Sequence, residues 1–137
     1  YAGQPCVWLA HKVCVTQDDI RGLQLAKAAF AAGMRILLQD SHTPYEQLDH
    51  VVLAGGFGSY LKKESAAAIG LIPKELLPIT ESVGNAAGEG AVSAAISQKA
   101  REQLLTIRKS MHYIELSTHP DFSQEYMDQM DFDESKR

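Results

Sequence analysis

The chain has 137 residues, 45% hydrophobic and 22% charged, with a net charge of −4, which fits one globular domain with a core of its own. The charge is uneven: residues 115–137 hold seven acids (Glu115, Asp121, Glu125, Asp128, Asp131, Asp133 and Glu134) against Lys136 and Arg137, a net of −5 against +1 elsewhere. No basic patch points to nucleic acid, no apolar run reaches the ~18 residues of a membrane span, and no signal peptide is visible; a cytoplasmic protein is expected. The first residue is Tyr1 rather than Met, so a piece of a longer or processed protein is expected.

Residues 6–15, CVWLAHKVCV, read as a strand or a tight hairpin. On a single extended strand Cys6 and Cys14 would stand about 26 Å apart, too far to bridge, and buried free thiols are expected. The five histidines show no ligand spacing, so no metal site is expected. Thr16 is a good N-cap, with Asp19 three residues on completing a capping box. A helix from Gln17 to about Gln39 follows, with Ile20, Leu23, Phe30, Met34 and Leu37 as its main apolar stripe. Leu25, Ala28, Ala29, Ala31 and Ala32 widen that surface, so the helix is expected to be mostly buried. Gly22 and Gly33 inside it each cost about 1 kcal/mol relative to Ala, which predicts close packing at both. Gln24 and Lys27 are polar residues one turn apart on a largely apolar stretch of this helix. Either Lys27 snorkels to solvent, or the two edge a ligand pocket beside the glycine turn.

Residues 40–47 form a loop around Pro44. The stretch LDHVVLAGGFGSYL, Leu48 to Leu61, is the centre of the chain. Its apolar run Val51–Ala54 reads as a strand buried on both faces, and it ends in Gly55, Gly56, Phe57 and Gly58. Adjacent glycines at a strand end mean a positive φ or the close approach of another group. Past Leu61 a helix runs to Ile69, stopped by Gly70. Strand, glycine turn and helix in that order place a ligand at the strand's carboxyl end; a tight structural turn is the plainer alternative. The dinucleotide fingerprint fails because position 61 is Leu, and no P-loop string exists.

A loop over 71–78 leads to a strand at Ile79–Val83, and Asn85 caps a helix of small residues, NAAGEGAVSAAIS. That helix suits a hinge or interdomain contact, or plain packing against the sheet. An amphipathic helix, Gln98 to Ser110, comes next, then a strand at His112–Leu116. Pro120 fits the first position of a last short helix with Phe122, Tyr126 and Met130 on one side. Residues 131–137 read as a frayed acidic tail.

A hydrophobic strand followed by GGFGSY resembles the adenosine motif of the actin, sugar-kinase and heat-shock chaperone (ASKHA) superfamily. Four segments in fixed order resemble the C-terminal part of the reductive activators of corrinoid proteins: TQDDIRGLQLAKAAFAAGMRILL, VVLAGGFGSYLKKESAAAIGLIP, VGNAAGEGA and HYIELSTHPDF. The resemblance covers essentially the whole chain. It implies residues 1–137 as one α/β unit, a C-terminal nucleotide-binding subdomain of ribonuclease H-like ASKHA type with a mixed sheet flanked by helices. It also implies a parent in which an N-terminal ferredoxin-like domain holds a 2Fe–2S cluster. Such a parent uses ATP, with Mg, to return cob(II)alamin to cob(I)alamin in methyltransferase systems, including O-demethylation.

Residue by residue, the resemblance places Gly55, Gly56, Phe57 and Gly58 at the adenosine or phosphate. Gln24 and Lys27 match the string Q-L-A-K, and a nucleotide contact for them is an inference from that match. No catalytic residue and no metal ligand is assigned within the chain, so the chain alone is expected to be inactive. Position 88 is Gly where a larger apolar residue is expected in relatives, which predicts a locally weaker helix. The expected partners are a corrinoid protein, the parent's own N-terminal domains and a possible second copy; nucleic acid and membrane are not expected. The alternative is a non-catalytic docking or dimerisation module with a purely structural glycine turn.

Overall fold

The computed structural model describes residues 3–132, except the side chain of Phe57. Within them the chain forms a β-hairpin, a long helix, a parallel strand pair joined through helical segments, a helical hairpin and a C-terminal segment that returns to the long helix. Parallel and antiparallel pairing are both present, as two separate two-stranded sheets.

The hairpin joins β1 (Cys6–Ala10) to β2 (Val13–Thr16) through His11 and Lys12. Lys12 takes the left-handed conformation, φ 64°, that so short a reversal requires. The hairpin overturns the single-strand premise for the cysteines. Cys6 pairs with Thr16 and Cys14 with Trp8, so the thiols are diagonal neighbours on one face. Neither thiol forms a disulfide, and both are half-buried. Partial burial pushes the Cys14 thiol up, and the charge and hydrogen bond of Cys6 add to the shift.

Helix α1 (Gln17–Asp40) starts as expected. The Thr16 hydroxyl accepts from the Asp19 amide, and the Asp19 carboxylate accepts from the Thr16 backbone N–H at 2.8 Å. Its buried face is not the expected stripe. Lys27, Ala28, Ala31, Ala32 and Ile36 are buried, whereas Leu23, Phe30 and Leu37 are 41%, 50% and 56% exposed. Small alanines let α1 approach its neighbours closely; of the expected stripe Ile20 and Met34 are half-buried, and Leu23, Phe30 and Leu37 fall on the side left open. Of the two helix glycines, Gly33 is close-packed, with a Cβ there 3.1 Å from Leu116 Cδ1, while Gly22 faces open space.

Strand β3 (Val51–Ala54) pairs in parallel with β4 (Thr80–Gly84), from Val51 opposite Thr80 to Ala54 opposite Gly84. The stretch expected as a glycine turn before a helix is itself helical, as α2 (Gly55–Tyr60). A break at 61–62 separates it from α3 (Lys63–Ala68). Ala66 and Ala67 of α3, with Leu71 and Ile72 after it, make the core, ringed by Met34, Leu53, Leu61, Ile69 and Leu77. A 3₁₀ stretch, Lys74–Ile79, feeds β4. The buried Thr80 hydroxyl donates to the Leu76 carbonyl at 2.7 Å, and the Lys63 amine donates to the Thr80 carbonyl at 3.0 Å. These bonds satisfy polar groups that would otherwise be stranded in the core.

Helices α4 (Ala86–Ile96) and α5 (Gln98–Ser110) pack on one another, and neither buries a residue. Ser97 ends one and caps the other, its hydroxyl accepting from the Ala100 amide at 3.2 Å. The strand expected at His112–Leu116 is absent. Glu115 bends the chain instead, accepting from the Ser117 amide and hydroxyl and from the Tyr113 hydroxyl. These hydrogen bonds hold the Glu115 carboxyl below the usual range, the Ser117 hydroxyl most of all. The last helix, α6 (Phe122–Asp128), begins two residues after Pro120 rather than on it, with Phe122 and Tyr126 stacked at 5.8 Å between ring centroids. No helix among the described residues is long and apolar enough to cross a membrane. Of the expected frayed tail, residues 133–137 lie outside the described residues.

Candidate functional site at the ends of the parallel strands

The carboxyl ends of β3 and β4 lie side by side, and both end in a left-handed glycine. Gly55 has φ +70° and Gly84 has φ +61°, next to a register shift between Leu53 and Ala54. Any other residue would be strained at either position. Each glycine turns its strand into a helix: α2 starts on Gly55 itself, and α4 starts after its N-cap Asn85.

The glycines of this segment are required for different reasons. At Gly58 a Cβ would lie 2.3 Å from the Leu53 carbonyl oxygen and 2.9 Å from the Gly84 nitrogen. Only a glycine lets α2 press onto both strands there. Gly55 is demanded by its backbone, although the space beside it is open. Gly56 is demanded by neither: its φ is not positive, and a Cβ would meet nothing within 4 Å. The Ser59 hydroxyl donates back to the Gly55 carbonyl at 3.2 Å and closes the short helix on itself.

A shallow groove of about 480 Å³ opens beside Asn85, lined by Gly88, Glu89, Val92 and Ser93. The Asn85 side chain accepts from the Gly88 amide at 3.0 Å. A Cβ at Gly88 would lie 2.4 Å from Asn85 Nδ2, so the glycine that weakens this helix also makes room for its cap. The sequence marks Asn85 as a cap and gives no sign of Glu89, which shares the groove, beyond their four-residue spacing, one helical turn.

The two α1 residues expected at the pocket edge are placed differently from each other. Gln24 is half-buried. Lys27 is 3% exposed; its amine donates to the Asp131 carbonyl and sits 5.3 Å from the centre of the Phe132 ring. Gly70 lies on its other side, a Cβ there falling 3.5 Å from the amine.

Residues 6–137 match the family described as the C-terminal domain of RACo, the ASKHA domain. The chain is 38% identical over 116 residues to the corrinoid activation enzyme RamQ of Eubacterium limosum, spanning 84% of this chain and 19% of that protein. It also resembles the solved structure of a reductive activator for corrinoid, iron-sulfur protein. That match has a TM-score of 0.75 at 39% identity, over 83% of this chain and 18% of the other. The chain therefore spans about one fifth of the length of either relative. With the whole of 6–137 matched, the chain belongs to the family of RACo C-terminal ASKHA domains.

Proposed function

We propose that this chain is the nucleotide-binding part of an ATP-dependent reductive activator that returns cob(II)alamin to cob(I)alamin in a corrinoid methyltransferase system. Family membership and the two relatives support the corrinoid role. The observation that carries the nucleotide reading is Gly56, where neither backbone conformation nor packing accounts for a glycine. A group outside the chain that must come close to the backbone does account for it. Gly55, Gly56, Phe57 and Gly58 would receive the adenosine or phosphate, and open space at Gly55 and Gly56 fits such a group. Gln24 is proposed as a polar edge of the same site on the strength of the Q-L-A-K string alone.

Bound ATP would supply the free energy for an uphill electron transfer. The carboxylates that hold its Mg, and the 2Fe–2S cluster that passes the electron, are proposed to lie in other parts of the full-length protein. On this reading the chain alone does not turn over ATP. A docking role is compatible with it and has its own support: α4 and α5 bury nothing, and Val92, Ile96, Leu105 and Ile107 are more than half exposed. These helices would meet the parent's own N-terminal domains or a second copy.

The test is Gly56→Val in the full-length protein, assayed by the absorbance change of cob(II)alamin reduction with and without ATP. ATP-dependent reduction is expected to be lost. Reduction at the wild-type rate would refute the assignment of this turn.

A further inference from the structure

Beyond the nucleotide reading, the side chains of α1 suggest a different role for Lys27. From residue 119 onward the chain runs back along α1. His119 Nε2 meets Asp40 Oδ1 at 3.4 Å, and Arg35 meets Glu125 at 3.2 Å. Last, the Lys27 amine meets the Asp131 carbonyl and the Phe132 ring. The partners fall in opposite chain order on the two sides, so this segment is an antiparallel strap. From Asp40 to Lys27 it covers 13 residues of helix, about 20 Å.

The three contacts are not equivalent. The Arg35–Glu125 pair has side chains 46% and 18% exposed and the His119–Asp40 contact 14% and 42%, and polar pairs with one side open to water hold little because water and salt compete for them. Lys27 is 3% exposed. A buried ammonium must be met by acceptors. Helix α6 has seven residues, too few to persist without docking.

We infer that Lys27 is the clasp that holds residues 119–132 along α1, and that its ammonium serves this strap instead of a nucleotide. The Gly70 turn closes the other side of the clasp: its left-handed φ of +76° lets the backbone pass the amine without a side chain. Lys27 is thus a positioning residue for the C-terminal segment.

Amide hydrogen exchange on the full-length protein tests this. The reporters are the strap amides of Phe122, Glu125 and Gln129, which donate to carbonyls within the same segment. Lys27→Met keeps the apolar stem and removes the ammonium, so these amides should exchange at least about tenfold faster, the consequence of losing the buried cation's hold on the end of the segment. Glu125→Gln, which weakens only the half-exposed pair, should change them less than about threefold. Should Lys27→Met not accumulate as folded protein, Phe132→Leu carries the test, and it should loosen the same amides. Native strap exchange in the folded variants would overturn the inference. So would a Lys27→Met protein with native strap exchange and lost affinity for ATP.

Discussion

The glycine turns at the ends of β3 and β4 and the strap along α1 hold their shapes by opposite means. At the turns almost everything is backbone: two left-handed glycines, one glycine pressed on two strands, and one, Gly56, that neither conformation nor packing requires. Along the strap the work falls to side chains of Lys27, Arg35 and Asp40, each already engaged within the chain. A region whose polar groups are satisfied internally has little left to offer a ligand. One that leaves bare backbone beside open space has room for one. Lys27, Arg35 and Asp40 thus spend their polar groups on the fold, whereas the backbone at Gly56 stands beside open space.

The comparison breaks most visibly under substitutions in packed positions. Ile36 is fully buried, and Ile36→Ala should cost about 2–5 kcal/mol in chemical denaturation. Gly58→Ala drives a methyl against the Leu53 carbonyl and should cost about 1–3 kcal/mol, with strain rather than a cavity as the cause. Leu23→Ser, on the exposed side of the same helix as Ile36, should stay within ~0.5 kcal/mol. Equal losses for Ile36 and Leu23 would mean that the buried face of α1 is misassigned.

Caps give a smaller effect. Thr16→Ala and Asn85→Ala each remove a side-chain acceptor from a helix N-terminus and should each cost about 1 kcal/mol. The Thr16 cap also has a pH signature. Hydrogen bonds from the Thr16 backbone amide and hydroxyl lower the Asp19 carboxyl below its ordinary value. A carboxyl with a depressed folded-state pKa contributes stability above its unfolded pKa, and that contribution fades as pH falls through the folded one. Acid titration of stability should therefore be shallower in Asp19→Asn than in wild type. Identical slopes would remove Asp19 from the cap.

Much of this fold was legible in the sequence because the signals were local. The capping box at Thr16 and Asp19, the apolar run before Gly55 and the Asn85 cap each act within a few residues, and each appears where expected, although the strand is half-buried on one face and exposed on the other, not buried on both. Signals that depend on distant partners were not legible. The hydrophobic stripe of α1 was drawn from the large residues, yet which face is buried depends on what packs there, and alanines admit the closest neighbours. His112–Leu116 has strand-forming residues, but the hydrogen bonds of Glu115 bend it. At the candidate site the glycine cluster was legible as a cluster, while the separate reasons for Gly55, Gly56 and Gly58 required coordinates. The acceptor of the Lys27 amine lies 104 residues further on, beyond the reach of any local signal.

The proposal that the backbone at Gly56 is left open for a nucleotide is tested most directly by calorimetric titration of the full-length Gly56→Val protein with ATP, alongside its thermal midpoint. A Cβ at this position meets nothing in the fold, so the midpoint should stay within about 2 °C of wild type, as for a substitution away from packed contacts. Affinity should fall by at least about tenfold, or 1.4 kcal/mol. Unchanged affinity at an unchanged midpoint would contradict the account.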